Sequence, residues 1–284
     1  MVAPSARKQM AQEVTKTRSI SARRSCKLFS ISLTCWRYSR KNDPENDQIA
    51  RQLMILAQQH TTWGFQLMFL HLRNVQGHGW NHKRVYRIYC QLRLNLRIKP
   101  KQRLVREKPQ KLQAPSAPNT VWSMDFMHDQ LSDGRSYRSL NVMDDYNREL
   151  LCAEIDIALP AQRVIRALEQ VIEYKGLPKA IRSDNGPEYI SHALADWAKK
   201  RGIALWFIQP GNPQQNAYIE RFNRTMRYEL LSTHLFGSVG EVQLAATRWQ
   251  WTYNHDRPHM ALGGITPAQK LAAYFSNHPS STKH

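Results

Sequence analysis

Apolar positions recur at helical spacing toward both ends of this chain and cluster into strand-like runs in its middle. Over residues 19–38 a short helical pattern (Cys26, Leu28, Phe29) breaks at Ser30 to Ser32 and restarts with Trp36 and Tyr38, which predicts two short helices about a turn. Helical spacing resumes over 48–60, continues over 63–75, turns at Gly77 to Gly79 and returns in a basic helix over 81–94. In that helix Lys83, Arg84 and Arg87 fall on one side and Val85, Ile88 and Tyr89 on the other, as suits a helix lying against phosphates. Residues 120–128, 137–146 and 149–157 then read as strands, the first two joined through Ser132-Asp133-Gly134. A helix over 161–175 is stopped by Gly176, with Pro178 beyond it. A strand over 179–183, a helix over 191–201 ended by Gly202 and a strand over 204–209 follow. With the helix that opens next, the predicted fold class is α/β: a βββαβαβα order with a mixed sheet, preceded by an all-α helix-turn-helix-like region.

That last helix is expected to open at Pro213, with Asn212 as its cap and Gln215 returning a bond. At about 100° per residue Ile219, Phe222, Met226 and Leu230 form an apolar stripe. Asn216, Glu220, Asn223, Arg224 and Arg227 share the adjoining arc, and of these Asn216, Asn223, Arg224 and Arg227 are expected to contact DNA. A glutamate followed by arginines is ordinary on a solvated helix. Two aspartates upstream, Asp125 in VWSMDFMH and Asp184 in IRSDNGPEY, change that reading. A right-handed crossover sets the first strand beside the first parallel strand, so Asp125 and Asp184 converge and the packed helix adds Glu220. Oxygen donors without Cys or His select Mg²⁺ or Mn²⁺. Two such ions, roughly 3.5 to 4 Å apart, suit in-line phosphodiester displacement by water or a DNA 3′-hydroxyl. Tyrosine nucleophiles are not needed, and Tyr137, Tyr146, Tyr218 and Tyr228 read as packing or DNA-surface groups.

Charge divides the chain. Of the net +19, residues 1–111 carry +18, which points to a polyanion and specifically to nucleic acid. The expected divisions are a basic arm at 1–17 without periodicity, a helical DNA-binding region at 18–98 and a proline-rich linker at 99–118. A catalytic core at 119–235 and a C-terminal helical extension and tail at 236–284 follow, the last dozen residues expected to be disordered. Asp144 and Asp145, at a strand end near Arg148, read as a cap or ion pair rather than as extra ligands. The four cysteines show no CxxC pair and read as reduced thiols. No apolar run approaches the roughly 20 residues of a membrane span, and no signal peptide opens the chain, so a cytoplasmic, nucleoid-associated protein is expected.

The motifs WSMDF, SDNGPEY, PGNPQQNAYIERFNRTMRYELL and YNHDRPHMALGGITP, in this order, resemble those of the OrfB transposases of bacterial insertion-sequence family three. These are relatives of retroviral integrases with a ribonuclease-H-like core. The resemblance spans roughly residues 19–273. It implies that Asp125, Asp184 and Glu220 are a DDE triad and that Arg227, seven residues after the glutamate, contacts transposon-end DNA. It further implies strand cleavage and strand transfer at the element's terminal repeats and into target DNA, by a homo-oligomer on DNA and with an upstream OrfA as partner or fusion. His60, His71, His78 and His82 lack the cysteine pair of the retroviral zinc module, so no zinc is expected. Tyr253, Asn254, Arg257, Pro258 and His259 match the family's closing motif and are expected to pack on the core and touch DNA. The competing reading is a non-catalytic DNA-binding protein or an inactivated relic, and the presence of all three carboxylates weighs against it.

Overall fold

The computed structural model describes residues 3–38, 43–96, 112–184, 186, 191–209 and 216–278. Contacts gather the chain into two compact units, Met1–Arg51 and Gln52–His284. The division falls inside the helix Pro44–Gln59 and not at the proline-rich stretch, of which residues 99–111 lie outside the described residues.

The first unit is helical, with α1 (Pro4–Arg18), α2 (Ala22–Leu28), α3 (Leu33–Arg37) and the start of α4 (Pro44–Gln59). The expectation of an aperiodic basic arm at 1–17 is corrected here: Pro4 opens a helix that ends at Ser19 in a left-handed conformation, φ 49°. Its inward face holds one buried alanine, Ala11, and a polar contact, Thr15 Oγ1 donating to Ser25 Oγ at 2.8 Å. No apolar period announces a helix packed that way. The break at 30–32 is present, with Ser30 at φ 51° and Ser32 accepting the Cys35 N–H at 3.0 Å to start α3.

In the second unit α5 (Phe65–Leu70) runs on as a π-helical turn, His71–Val75, and α6 (His82–Gln91) follows. Asn81 caps α6 by accepting the Lys83 N–H at 2.9 Å. Val85, Ile88 and Tyr89 are buried while Lys83 and Arg87 are exposed, the two sides the spacing predicted. The π-helical turn is bonded to the far end of the chain. His71 Nδ1 lies 2.8 Å from the Asp256 carbonyl, Asn74 Nδ2 donates to the Gly264 carbonyl at 2.7 Å, and Gln269 Nε2 donates to the Asn74 carbonyl at 2.6 Å. Gly264 must be glycine there: its φ is 86°, and a Cβ would stand 2.8 Å from Leu70 Cδ2.

The sheet holds β1 (Val121–Gln130), β2 (Ser136–Asp144), β3 (Leu150–Asp156), β4 (Ala180–Ser183) and β5 (Ala204–Phe207) in the order β3-β2-β1-β4-β5. β1 pairs antiparallel with β2 and parallel with β4, so Val121 faces Ala180 and Ser123 faces Arg182, the neighbourhood expected from a right-handed crossover. Helices α7 (Ala161–Lys175), α8 (His192–Arg201) and α9 (Ala217–Glu229) complete the βββαβαβα order. α7 stops at Gly176 and α8 at Gly202, both with positive φ. Alternation sends Trp122, Met124, Leu140 and Val142 to one face with Val164, Leu168 and Leu194. Met127 and Met143 go to the other with Ile219, Phe222 and Met226. Asp125 shares this second face, against α9. The expected opening of α9 at Pro213, with Asn212 and Gln215, lies outside the described residues.

β3 is an edge strand, and α10 (Val239–His255) closes it. Gln243 Oε1 accepts the Ile155 N–H at 2.8 Å and its Nε2 donates to the Ala153 carbonyl at 2.9 Å. Gln250 Nε2 donates to the Leu150 carbonyl at 3.0 Å. Asn254 accepts the Leu150 N–H at 2.9 Å and donates to the Leu150 carbonyl at 2.8 Å. Three amides on one helix face thus replace a neighbouring strand. The last helix, α11 (Pro267–Asn277), starts in a capping box of Thr266 and Gln269. It corrects the expected disorder of the last dozen residues as far as Asn277; residues 279–284 lie outside the described residues. Among the described residues no helix is long and apolar enough to cross a membrane.

Candidate active site

Asp125 sits half-buried within β1 and is held by neutral donors: the Phe126 N–H at 2.9 Å and Asn223 Nδ2 at 2.8 Å. Asn223 in turn accepts from Asn141 Nδ2 at 2.8 Å, and Asn141 accepts from Ser139 Oγ at 2.8 Å. Asn141 lies opposite Asp125 across the β1–β2 pair, so the relay is built by strand register and ends on the carboxylate. Asp184 follows β4 directly and accepts the Gly186 N–H at 3.1 Å. Glu220 stands exposed in the first turn of α9. Burial, then the charge of Asp184 and more weakly that of Glu220, pushes the Asp125 carboxyl up to about 7, against the pull of its hydrogen bonds from Phe126 and Asn223. Asp125 thus lies within the fields of the other two carboxylates. They are not drawn to ligating distance: among the described residues no three of His, Cys, Asp and Glu stand close enough to hold a metal ion.

The other side chains on the α9 arc divide. Arg224 and Arg227 are exposed. Arg227 Nη2 donates to the His128 carbonyl at 3.1 Å, and its Nη1 is 3.9 Å from Asp129 Oδ2, so its acidic neighbour is Asp129 and not Glu220. Asn223 and Asn216, expected on the DNA side, are placed otherwise. Both ends of the Asn223 amide serve the relay to Asp125. Asn216 is 2% exposed, its Nδ2 3.5 Å from the Met124 carbonyl and its Oδ1 without a partner among the described residues. Helical angle places both beside Glu220; how deeply that flank sinks against β1 is set by packing.

Asp144 is a cap, accepting the Asn119 and Tyr146 N–H groups at 2.8 Å. Asp145 is buried and pairs with Arg182 Nη1 at 2.7 Å while accepting from Ser123 Oγ at 2.6 Å; the expected partner Arg148 lies instead over the Tyr218 ring at 3.2 Å. In the closing motif Arg257 grips Glu229 with Nε and Nη2 at 2.9 and 2.7 Å, and His259 is buried. Tyr253 and Asn254 are buried as well, so the motif is mainly internal. Lys83 and Arg87 are exposed on α6 and Arg84 is half-buried there. The four cysteines are unpaired.

Integrase core domain models match the chain over residues 115–213 and 201–267. A 31.7 kDa protein of insertion element IS407 from Burkholderia multivorans is 38% identical over 256 residues, covering 90% of this chain and 92% of that one. A 39.2 kDa protein of insertion element IS476 from Xanthomonas euvesicatoria is 36% identical over 273 residues, covering 96% and 79%. In fold, the chain is similar to one in the simian T-cell lymphotropic virus intasome in complex with PP2A regulatory subunit B56 gamma, with TM-score 0.50 and 21% identity over 78% of this chain and 74% of that one. A mixed five-stranded sheet with Asp125 on β1 and Asp184 directly after the adjacent β4, flanked by the Glu220 helix, is the ribonuclease-H-like core. The chain belongs to the insertion-sequence transposases with an integrase catalytic core, enzymes of the DDE polynucleotidyl-transferase class.

Proposed function

We propose that Asp125, Asp184 and Glu220 are the carboxylate triad of this transposase and hold Mg²⁺ or Mn²⁺, as two ions, while the chain cuts insertion-sequence ends and joins them to target DNA. The observation that carries this is the half-buried Asp125 carboxylate, which among the described residues accepts hydrogen bonds only from the neutral Phe126 N–H and Asn223 amide while burial and the charges of two further acids push its carboxyl up to about 7. That is an arrangement a divalent cation relieves. The donor set fits: three carboxylates with no thiol or imidazole among them select a hard cation. When bound, such ions supply activation of the attacking oxygen, from water or a DNA 3′-hydroxyl, and stabilisation of the leaving one.

The chain's own residues do the rest. The Ser139–Asn141–Asn223 relay fixes the Asp125 carboxylate in one rotamer before any ligand arrives. Asp184, directly after β4, adds its charge from beside the adjacent strand. Arg224 and Arg227, exposed beside Glu220, take the phosphates that flank the scissile bond. Lys83, Arg84 and Arg87 of α6, with the α2–α3 pair read as helix-turn-helix-like, grip DNA by its backbone. The working form is a homo-oligomer on terminal repeats and target DNA, with an upstream OrfA as partner or fusion, acting in the cytoplasm at the nucleoid.

Strand cleavage and joining on the native element ends with Mg²⁺ tests this reading. Asp125→Asn, Asp184→Asn and Glu220→Gln should each abolish both reactions and leave DNA affinity nearly intact. A variant that keeps near-normal turnover removes its residue from the triad.

A further inference from the structure

α9 has a second cationic flank. Tyr218, Arg221 and Thr225 follow at i, i+3 and i+7, roughly 100–160° round the helix from Glu220, and line a cleft of about 600 Å³. Its other walls come from Arg148 after β2 and from Arg257 and Met260 after α10. The charge of Arg257 is answered by Glu229. Arg148 shares the Asp145 carboxylate with Arg182, and Arg221 is less answered still. Arg221 is exposed and makes no ion pair among the described residues. Arg148 donates to the carbonyl of Asp145, whose carboxylate is taken by Arg182, and lies flat over Tyr218 at 3.2 Å. Arg148 holds φ at 61°, a conformation an arginine adopts at a cost and a glycine would not. Among the described residues no carboxylate lines the cleft. The field is felt by His259 on its floor, whose imidazole is pushed down to about 3, first by burial and then by Arg257, with Arg148 and Arg221 adding to it.

We infer that this cleft is a second DNA-backbone site, in which Arg221 and Arg148 receive phosphodiester oxygens of a strand running past the triad and Tyr218 supplies a flat apolar wall. An exposed guanidinium without an ion pair and a second one only partly answered, beside an aromatic plate, are the elements of sequence-tolerant nucleic-acid binding. The inference rests on DNA being the substrate, but neither arm of its test uses cleavage, so failure of the triad reading leaves both arms readable.

The full chain carrying Glu220→Gln is titrated with a labelled duplex of arbitrary sequence across a range of salt. Adding Arg221→Ala should weaken binding several-fold, uniformly across sequences, and lower the slope of log K against log salt by about 0.9. Arg221→Lys should restore most of the slope. An unchanged slope for Arg221→Ala overturns the inference, as does displacement of the duplex by inorganic phosphate at the same phosphate concentration as unlabelled duplex. Location is read separately. Met260, 60% exposed on the cleft rim, is replaced by cysteine, and its alkylation is followed by mass spectrometry. Duplex DNA should slow alkylation of Met260→Cys several-fold; an unchanged rate places the DNA elsewhere and overturns the site.

Discussion

Ser123 and Asp125 lie two residues apart on the face of β1 that meets α9, and each belongs to the surroundings of a sequestered carboxylate. Burial pushes both carboxyls up, Asp145 and Asp125 alike. Asp145 is then answered by Arg182 at 2.7 Å and Ser123 at 2.6 Å. Asp125 receives only neutral donors, and Asp184 and Glu220 push it further, to about 7. A sheet built for stability alone would pair Asp125 or replace it by an apolar residue. Retaining it uncompensated costs free energy, and the proposed cation site is the reason such a cost is tolerated. The paired carboxylate and the proposed ligand differ in whether the protein itself supplies the counter-charge.

That contrast can be broken at Arg182. Arg182→Met leaves Asp145 buried without its cation and should destabilise the protein by about 3–5 kcal/mol, measured by urea denaturation. A loss below about 1 kcal/mol would mean that Asp145 needs no partner and that the two sites do not differ. The opposite sign is expected at Asp125. The Asp125 carboxyl titrates near 7 when folded and near its ordinary 3.8 when unfolded. Below about pH 4 both states are protonated and ionisation costs nothing. Between about pH 4 and 7 the unfolded chain ionises first and stability falls, and above 7 the full cost stands.

At about 1.4 kcal/mol per tenfold change, the ceiling on that cost is about 4 kcal/mol. Asparagine offers one acceptor where the carboxylate offers two, and losing one hydrogen bond subtracts about 1 kcal/mol. Asp125→Asn should thus stabilise the metal-free protein by about 3 kcal/mol at pH 8 and show no gain at pH 4. Adding Mg²⁺ at pH 8 should raise the wild-type melting temperature more than that of the variant. A variant less stable than wild type at pH 8 would remove the argument for an uncompensated charge.

A third substitution asks whether neutral pairing elsewhere is ordinary in size. Asn254→Ala unpairs the Leu150 N–H at the β3 edge and should cost about 1–3 kcal/mol by the same denaturation assay. The smallest effect is expected at Arg227, half-exposed with only a 3.9 Å acidic neighbour. Arg227→Ala should change stability by less than about 0.5 kcal/mol. Its cleavage and end-complex formation should nevertheless fall, and Arg227→Lys should recover part of the loss. Unimpaired cleavage, or a large drop in melting temperature, would make Arg227 a structural partner of Asp129.

Much of the catalytic core is legible in the sequence because its signals are local. Gly176 and Gly202 end α7 and α8 where L side chains resist positive φ, and Ile219, Phe222, Met226 and Leu230 are buried as helical spacing requires. The order of elements and the handedness of one crossover suffice to bring β1, which carries Asp125, beside β4, which Asp184 follows. Other features needed the tertiary structure. Asn223 and Asn216 share the Glu220 arc by angle, yet one holds Asp125 and the other is buried, because angle does not encode how deeply a helix lies on a sheet. Arg182 reaches Asp145 across 37 residues, and Gln243, Gln250 and Asn254 close an edge roughly 90 to 100 residues away in the chain. α1 packs through an alanine and two hydroxyls. Hydrophobic periodicity states which side of an element faces inward, and short motifs state where it starts and stops. Which polar groups meet depends on distances between elements remote in sequence, and those are decided only when the layers pack.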